Sequence, residues 1–227
     1  EDLHLKFANK LKNNLFEKLK DVEKDIYKRW PKGRDERKLI ERIWRLLLYT
    51  NPVELRQKLI TYLDSNNMTL SKSVLNVYQS FNYEERENIS NKFFDKWSKN
   101  SLVLDSWFSF CASLESDNFI ENLENLFNHE YFDNKSPNTL RSILNGFVSN
   151  NRFFHDQEGK GYNYIAKKVI EFDKLNPIII SRFIKLFSRW DQYVEPYKTN
   201  MLNAIKFIDS HDLSINSREV IDLILKK

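Results

Sequence analysis

SPNTLRS at Ser136–Ser142 and NPIIISR at Asn176–Arg182 are the two clearest helix starts in this chain of 227 residues. In each segment a helix-capping residue precedes a proline, and an arginine follows about one turn further on. The side chains of Ser136 and Asn176 are suited to accept a hydrogen bond from an orphan backbone N–H, and a proline at the first helical position removes no donor that the helix needs. Both segments therefore predict a helix that begins at the proline.

The arginines in these segments, Arg141 and Arg182, are candidate binding residues. A helix N-terminus carries a partial positive charge on its free N–H groups, so a guanidinium near it favours an anion. If the two helix starts face one opening, the pair would form a receptor for a carboxylate. The alternative is that each arginine pairs with a nearby Asp or Glu on a solvated face, which is the commoner role of exposed arginines.

Outside these segments, apolar residues recur every three or four positions, as on one face of a helix. The further predicted helices run from Phe7 to Ile26, Asp35 to Leu47, Pro52 to Asn66, Thr69 to Phe81, Asn82 to Trp97, Leu104 to Leu114, Asn118 to Phe127, Tyr162 to Phe172, Pro196 to Ile208 and Asn216 to Leu225. Thr69 is expected to cap its helix, Asn82 with Glu85 resembles a capping box, and the segment 30–33 breaks the first helix.

The helices, joined by short polar turns, predict an all-α fold with no β-sheet. The expected architecture is an irregular superhelical array of antiparallel helix pairs, of armadillo or HEAT type. Scarce glycine (4) and proline (5), with 41% hydrophobic residues, argue against disorder and against a turn-rich β-sandwich.

The charge of the chain indicates which partners it binds, and its cysteine content indicates the redox state of its cellular compartment. The 36 cations are offset by 32 scattered anions, whereas a dedicated nucleic-acid binder usually concentrates its cations on one face. Cys111 is the single cysteine, which excludes an internal disulfide and fits a reducing compartment. No apolar run approaches the roughly 18 residues that a membrane span needs. We therefore expect a cytoplasmic location, with no nucleic-acid and no membrane partner.

Catalytic and metal-binding motifs are absent from the sequence. The four histidines, His4, His129, His155 and His211, form no HExxH pair, and no CxxC, GxSxG or P-loop motif occurs. Gly159-Lys160-Gly161 is a lone GxG without a strand before it, and we interpret it as a structural turn. The chain by itself is therefore predicted to be inactive, with no catalytic residue, no metal ligand and no cofactor.

The segment from about Asn66 to Ile208 resembles the C-terminal helical domain of bacterial aminopeptidase N, a zinc-dependent metallopeptidase. Six short stretches carry this resemblance in order: Asn66–Thr69, Phe94–Trp97, Leu102–Phe108, Pro137–Ser142, Phe154–Tyr162 and Leu175–Arg182. Each stretch alone is a weak signal, but six in register over about two-thirds of the chain are not expected by chance.

We expect residues 1–227 to be one α-helical domain with a looser helical part at 1–33. The chain opens directly in a helical pattern without an initiator Met, so we interpret it as a piece of a longer chain, and the resemblance implies that this is the C-terminal piece. The resemblance has three further implications. It implies a catalytic domain on the same polypeptide, where HExxH and a downstream glutamate hold zinc. The helical domain would cap the active-site chamber and limit substrates to short peptides. Arg141 and Arg182 would line the chamber on the primed side of the peptide. The 155–162 segment also matches the family, and we interpret it as a structural turn with Tyr162 packed beneath it.

Two other classes of function stay open. The chain could be a free-standing helical-repeat scaffold for protein interactions, which a long exposed apolar patch would favour. It could also be a basic helical-repeat nucleic-acid binder, which steep salt dependence of DNA or RNA affinity would favour. The interspersed carboxylates make the nucleic-acid class the weakest of the three.

Overall fold

The structure is a computed structural model, and it describes residues 2–28, 33–50, 52–79, 81, 84–116 and 118–226. Within these residues the chain forms thirteen α-helices, two 3-10 helices and no β-strand, so the all-α prediction is confirmed. The α-helices are α1 (Leu3–Glu23), α2 (Arg34–Leu48), α3 (Val53–Leu63), α4 (Met68–Tyr78), α5 (Arg86–Trp97), α6 (Ser101–Ser113), α7 (Phe119–Phe127), α8 (Pro137–Ser149), α9 (Asn151–Phe154), α10 (Lys160–Phe172), α11 (Pro177–Ile184), α12 (Tyr197–Asp209) and α13 (Ile215–Leu225). The 3-10 helices are Lys185–Phe187 and Trp190–Gln192.

The chain divides into two compact units, Glu1–Phe110 and Cys111–Lys227. In the first unit α1 packs against α2, and α4 packs against α2, α3 and α5. The ring of His4 stacks on Tyr49 at 5.1 Å between centroids, so the start of α1 lies beside the end of α2 and the two helices are antiparallel. The single domain over 1–227 and the looser part over 1–33 stay predictions.

In the second unit α10 packs against α9, α11 and α12. Its end is tied to α13 by Asp173, whose buried carboxylate accepts hydrogen bonds from the backbone N–H and the hydroxyl of Ser214 and from the hydroxyl of Ser217. Three donors satisfy a carboxylate that would be costly to bury alone. Ser214 also caps α13, so one polar cluster both ends α10 and starts α13.

Several predicted helix boundaries are corrected by the structure. The cap of α4 is Asn67 and not Thr69, because the Asn67 side chain accepts a hydrogen bond from the N–H of Leu70 at 3.3 Å. The predicted capping box cannot be placed, because Asn82 lies outside the described residues, as do residues 30–32 of the predicted break. Phe7 was expected on the buried face of the first helix, but its side chain is exposed.

Candidate functional site

The start of α8 is as the sequence predicts. Ser136 is the N-cap, and its hydroxyl accepts a hydrogen bond from the N–H of Thr139 at 3.4 Å. Pro137 is the first helical residue, where its missing N–H costs no intrahelical bond. This helix start depends only on residues within one turn, so the local sequence is sufficient to specify it.

The start of α11 is at the predicted residue but is held differently. Asn176 is the N-cap, yet its side chain accepts no capping hydrogen bond. The prediction of a side-chain cap at Asn176 is therefore wrong. The Asn176 side chain instead donates through Nδ2 to the backbone carbonyl of Asn134 at 2.8 Å, and Asn176 itself is buried. An unpaired buried amide is costly, and this hydrogen bond gives the buried Asn176 side chain its partner.

This hydrogen bond brings the two helix starts together. Asn134 lies two residues before Ser136, the N-cap of α8, and Asn176 is the N-cap of α11. The residues that precede the two helices are therefore in direct contact. A shared opening at the two helix starts requires that these starts lie next to each other, and this contact meets that requirement.

Arg141 lies in the second turn of α8 and is exposed. Its Nη2 donates a hydrogen bond to Oδ1 of Asn138 at 2.9 Å. Because helix side chains lean towards the N-terminus, this contact holds the guanidinium beside the first turn of α8. Arg141 forms no ion pair with any residue that the structure describes, and most of its N–H donors are left for solvent or a ligand.

Arg182 has a different position in its helix. It is exposed, and its guanidinium makes no hydrogen bond or ion pair within the described ranges. Because α11 ends at Ile184, Arg182 falls in the last turn of an eight-residue helix. The predicted help from a helix N-terminus is therefore wrong for Arg182, since the C-terminal end of a helix carries partial negative charge. Any attraction of Arg182 for an anion comes from the guanidinium alone.

A cavity of about 460 Å³ lies next to the joined helix starts, because Asn134 is one of its lining residues. Neither Arg141 nor Arg182 lines it. Its walls carry three carboxylates and three phenyl rings, from Glu124, Asp133, Glu171, Phe127, Phe132 and Phe172. An anion would be repelled here, so this cavity is not the predicted carboxylate receptor.

Lys168, from a buried position, forms ion pairs with two of these three carboxylates. Its Nζ lies 2.9 Å from an oxygen of Glu124 and 2.9 Å from an oxygen of Glu171, and 4.4 Å from the ring centre of Phe127. Burial and the neighbouring Glu124 raise the pKa of the Tyr164 hydroxyl beside this cluster. Sequence reasoning missed the cluster, because Lys168 and Glu124 are 44 positions apart and only the spacing of Lys168 and Glu171 was visible.

The Gly159-Lys160-Gly161 segment is a structural turn, as interpreted from the sequence. Gly159 has φ +73°, a left-handed conformation, and it precedes the first residue of α10. Tyr162 is fully buried, and its hydroxyl lies 2.6 Å from Nδ1 of His155. No phosphate-binding role is needed to explain these glycines.

The described residues contain neither a cluster of metal ligands nor a membrane-spanning helix. No group of three or more His, Cys, Asp or Glu side chains in these ranges could hold a metal ion. None of the described helices combines the length and the apolar character that crossing a bilayer requires.

Comparisons with known proteins match this sequence to a family of ARM-repeat domains and to parts of two bacterial aminopeptidases. Residues 1–226 match a family described as "Domain of unknown function (DUF3458_C) ARM repeats". Aminopeptidase N of Haemophilus influenzae is 31% identical over 146 residues, which are 64% of this chain and 17% of that protein. Aminopeptidase N of Escherichia coli (strain K12) is 29% identical over 144 residues, which are 63% of this chain and 17% of that protein.

A solved structure is similar over nearly the whole chain. It is the crystal structure of Legionella pneumophila aminopeptidase A in complex with aspartic acid, with a TM-score of 0.84 and 25% sequence identity. The similarity covers 99% of this chain and 28% of that chain. This chain therefore corresponds to only a part of each of these relatives.

Proposed function

Because this chain belongs to the DUF3458_C family of ARM-repeat domains, we propose that it acts as the non-catalytic C-terminal domain of a zinc aminopeptidase. The resemblance to the C-terminal helical domain of aminopeptidase N is confirmed by the curated relatives and the structural neighbour. The polypeptide that contains this domain would remove N-terminal residues from short peptides. This domain would cap the active-site chamber, restrict the size of substrates and bind the primed side of the peptide.

Zinc and the residues that activate water belong, in this proposal, to the catalytic domain of the same polypeptide. The sequence of this chain has no HExxH motif, and its described residues offer no three-ligand group. The bound metal would supply an activated water and polarise the scissile carbonyl. The residues of this chain would bind and orient the peptide, which lowers the entropic part of the barrier.

One observation supports a carboxylate-binding role best. The Asn176–Asn134 hydrogen bond makes the starts of α8 and α11 neighbours, while Arg141 and Arg182 stay exposed and form no ion pair among described residues. An arginine that forms no ion pair keeps its donors for the planar carboxylate at the C-terminus of a short peptide. We propose that both guanidinium groups donate to this carboxylate, with Arg141 positioned by Asn138.

The test uses the full-length polypeptide and matched peptide substrates. Arg141→Ala and Arg182→Ala should each lower kcat/KM for a dipeptide or tripeptide with a free C-terminal carboxylate by roughly fivefold to tenfold, the loss of one charge-assisted hydrogen bond that is partly exposed. The same peptides with a C-terminal amide should lose less than about twofold, because they present no anion. Steady-state hydrolysis of each acid and amide pair gives the measurement.

Arg189→Ala is the control, because Arg189 is also exposed in the second unit and has no proposed role. It should leave both substrates unchanged. Equal losses for acid and amide in the Arg141 and Arg182 variants would contradict the carboxylate role, since a general effect on folding or on domain position does not distinguish the two substrates.

The free-standing scaffold stays the alternative function. The observation that favours it is a row of exposed apolar side chains on α1, Leu3, Phe7 and Leu11. A scaffold would use such a row to bind a separate protein. A cytoplasmic location and the lack of nucleic-acid and membrane partners stay predictions.

A further inference from the structure

Asn176 does not cap its own helix, although it stands at the N-cap of α11. Asparagine is among the residues that cap helices best, because its side-chain oxygen can accept a hydrogen bond from a backbone N–H of the first turn. Asn176 is only 5% exposed, and its Nδ2 donates to the backbone carbonyl of Asn134 at 2.8 Å. The side chain therefore connects α11 to the segment before α8 and leaves the first turn of its own helix without a side-chain cap.

The backbone holds both partners of this hydrogen bond close to the helix ends. The N–H of Ser136, the N-cap of α8, donates to the carbonyl of Asp133 at 3.0 Å, which ties the turn that contains Asn134 to the start of that helix. The N–H of Asn176 donates to the carbonyl of Phe172, the last residue of α10, at 2.9 Å. The side-chain bond therefore fixes the start of α8 relative to the start of α11.

Arg141 and Arg182 lie at similar distances along their helices from this contact. Arg141 comes four residues after Pro137 and Arg182 five residues after Pro177, and these prolines are the first residues of α8 and α11. At a rise of about 1.5 Å per residue, the two Cα atoms are about 6 Å and about 7.5 Å along the helix axes. Side chains of a helix lean towards its N-terminus, so both guanidinium groups lean towards the joined starts. A change in the contact at the helix starts therefore moves the two groups relative to each other.

We propose that Asn176 is a positioning residue for peptide binding, because its hydrogen bond to Asn134 sets the distance between the guanidinium groups of Arg141 and Arg182. Two cationic donors can serve one carboxylate only when the distance between them is short and fixed, since charge-assisted hydrogen bonds are short and directional. This role rests on the proposed function, because it concerns the carboxylate that the two arginines are proposed to bind.

Burial makes the contact of Asn176 suitable for this role. An amide that loses its partner inside the protein remains unpaired at a cost in free energy, so the bonded arrangement is favoured. Asn138 differs, because it is exposed and its side chain contacts Arg141 within the same helix. Asn138 therefore orients one side chain, whereas Asn176 fixes the relation between two helices.

Asn176→Ser in the full-length polypeptide tests the positioning role. Serine still suits the N-cap of α11, but its side chain is too short to reach the carbonyl of Asn134. We compare kcat/KM for a short peptide that has a free C-terminal carboxylate with kcat/KM for its C-terminal amide. This acid-to-amide ratio should fall by roughly threefold to fivefold. The ratio does not depend on the fraction of folded enzyme, because one preparation hydrolyses both peptides.

A double variant shows whether Asn176 acts through the arginines. Arg141→Ala should lower the acid-to-amide ratio by roughly threefold or more in the unmodified polypeptide, but by less than about twofold in Asn176→Ser, since a misplaced guanidinium no longer shares the carboxylate. Effects of the two substitutions that simply multiply would contradict the positioning role. Should Asn176→Ser fail to fold by circular dichroism, Asn176→Asp, which keeps the shape but has no N–H donor, replaces it with the same expected result.

Ser214→Ala is the matched control. It removes a hydrogen bond to the buried Asp173 and the side-chain cap of α13, in the same compact unit as Asn176. It should lower the stability of the polypeptide and leave the acid-to-amide ratio unchanged. An equal fall of the ratio in Ser214→Ala and Asn176→Ser would overturn the positioning role, because any loss of stability in this unit would then have the same effect.

Failure of the proposed function gives a different result from failure of the positioning role. If Arg141→Ala and Arg182→Ala change the hydrolysis of acid and amide peptides equally, neither arginine binds the carboxylate, and the positioning role is rejected together with the proposed one. If these two variants lower the acid-to-amide ratio and Asn176→Ser does not, only the positioning role is rejected.

Discussion

His155 has an environment that changes its acid–base behaviour. Its ring is half-buried, its Nδ1 lies 2.6 Å from the hydroxyl of Tyr162, and it stacks on Tyr193 with 5.4 Å between ring centres. Burial lowers the pKa of His155 below its usual value of 6.5, because the charged imidazolium loses hydration. Burial also raises the pKa of Tyr162, so its hydroxyl stays a neutral hydrogen-bond partner.

The lowered pKa of His155 predicts a loss of stability in acid. In the unfolded chain His155 takes up a proton near pH 6.5, while in the folded chain it does so only at lower pH. The unfolded state therefore binds more protons between these two values, and the free energy of unfolding falls as the pH drops below about 6.5. The contribution of one proton is at most about 1.4 kcal/mol per pH unit.

This prediction is tested with His155→Phe, which keeps an aromatic ring but cannot titrate. Urea unfolding from pH 7.5 to pH 5.5 should show a steeper loss of stability in the unmodified chain than in the variant. The imidazole resonances of His155 in NMR should titrate with a midpoint below 6.5. Parallel pH profiles for the two proteins would contradict the lowered pKa.

At the scale of elements, the start of α10 depends on close packing against α9. A Cβ atom on Gly161 would lie 2.3 Å from the carbonyl oxygen of Phe153 and 2.4 Å from that of Phe154. Both contacts are with backbone atoms, which move only if a helix shifts. At Gly159 the near atoms are Cγ and Cβ of Asn200, at 2.8 and 2.9 Å, so a Cβ there meets one partly exposed side chain, which donates a hydrogen bond to the carbonyl of Gln157, and no backbone atom.

These contacts predict an order of stability for two glycine variants. Gly161→Ala should lower the free energy of unfolding by roughly 2–3 kcal/mol, as expected for a forced shift of packed backbone. Gly159→Ala should cost less, about 1–2 kcal/mol, from the left-handed backbone conformation and a small displacement of Asn200. Denaturant unfolding of the two variants gives the comparison, and a larger loss for Gly159→Ala would contradict the packing of α10 on α9.

At the scale of the whole molecule, this chain corresponds to a small part of each of its relatives. Its two compact units, Glu1–Phe110 and Cys111–Lys227, are helical throughout their regular elements and belong to one ARM-repeat family. The matched parts of the aminopeptidase N relatives are 17% of their length, so most of each relative lies elsewhere.

We predict that the 227-residue chain alone hydrolyses no short peptide and binds no stoichiometric zinc. The reason is the missing HExxH motif, since zinc catalysis needs fixed protein ligands and a base beside them. Peptide hydrolysis and metal content by mass spectrometry should be compared for this chain and for the full-length polypeptide. Measurable cleavage by the chain alone, at a rate that follows its concentration through purification, would contradict the non-catalytic assignment.

Features that depend on residues within one helical turn were predicted from the sequence, and features that depend on more distant residues were not. The helix that begins at Pro137 was predicted correctly, because a cap and a proline act within one turn. The end of α11 at Ile184 was not visible, because apolar periodicity continues past it and no glycine or proline marks the end. That missing boundary placed Arg182 at the wrong end of the helix dipole.

The sequence by itself determined the all-helical class, most helix starts and the resemblance to aminopeptidase N, since caps, periodicity and short motifs are local. Only the tertiary structure decided that Asn176 bonds to Asn134, that Lys168 is buried beside Glu124, and that Phe7 on α1 is exposed. These features join residues more than forty positions apart or depend on what packs nearby. Local sequence preferences do not specify contacts between distant residues or the burial of a side chain. Both are selected by interactions that form only when the chain is folded.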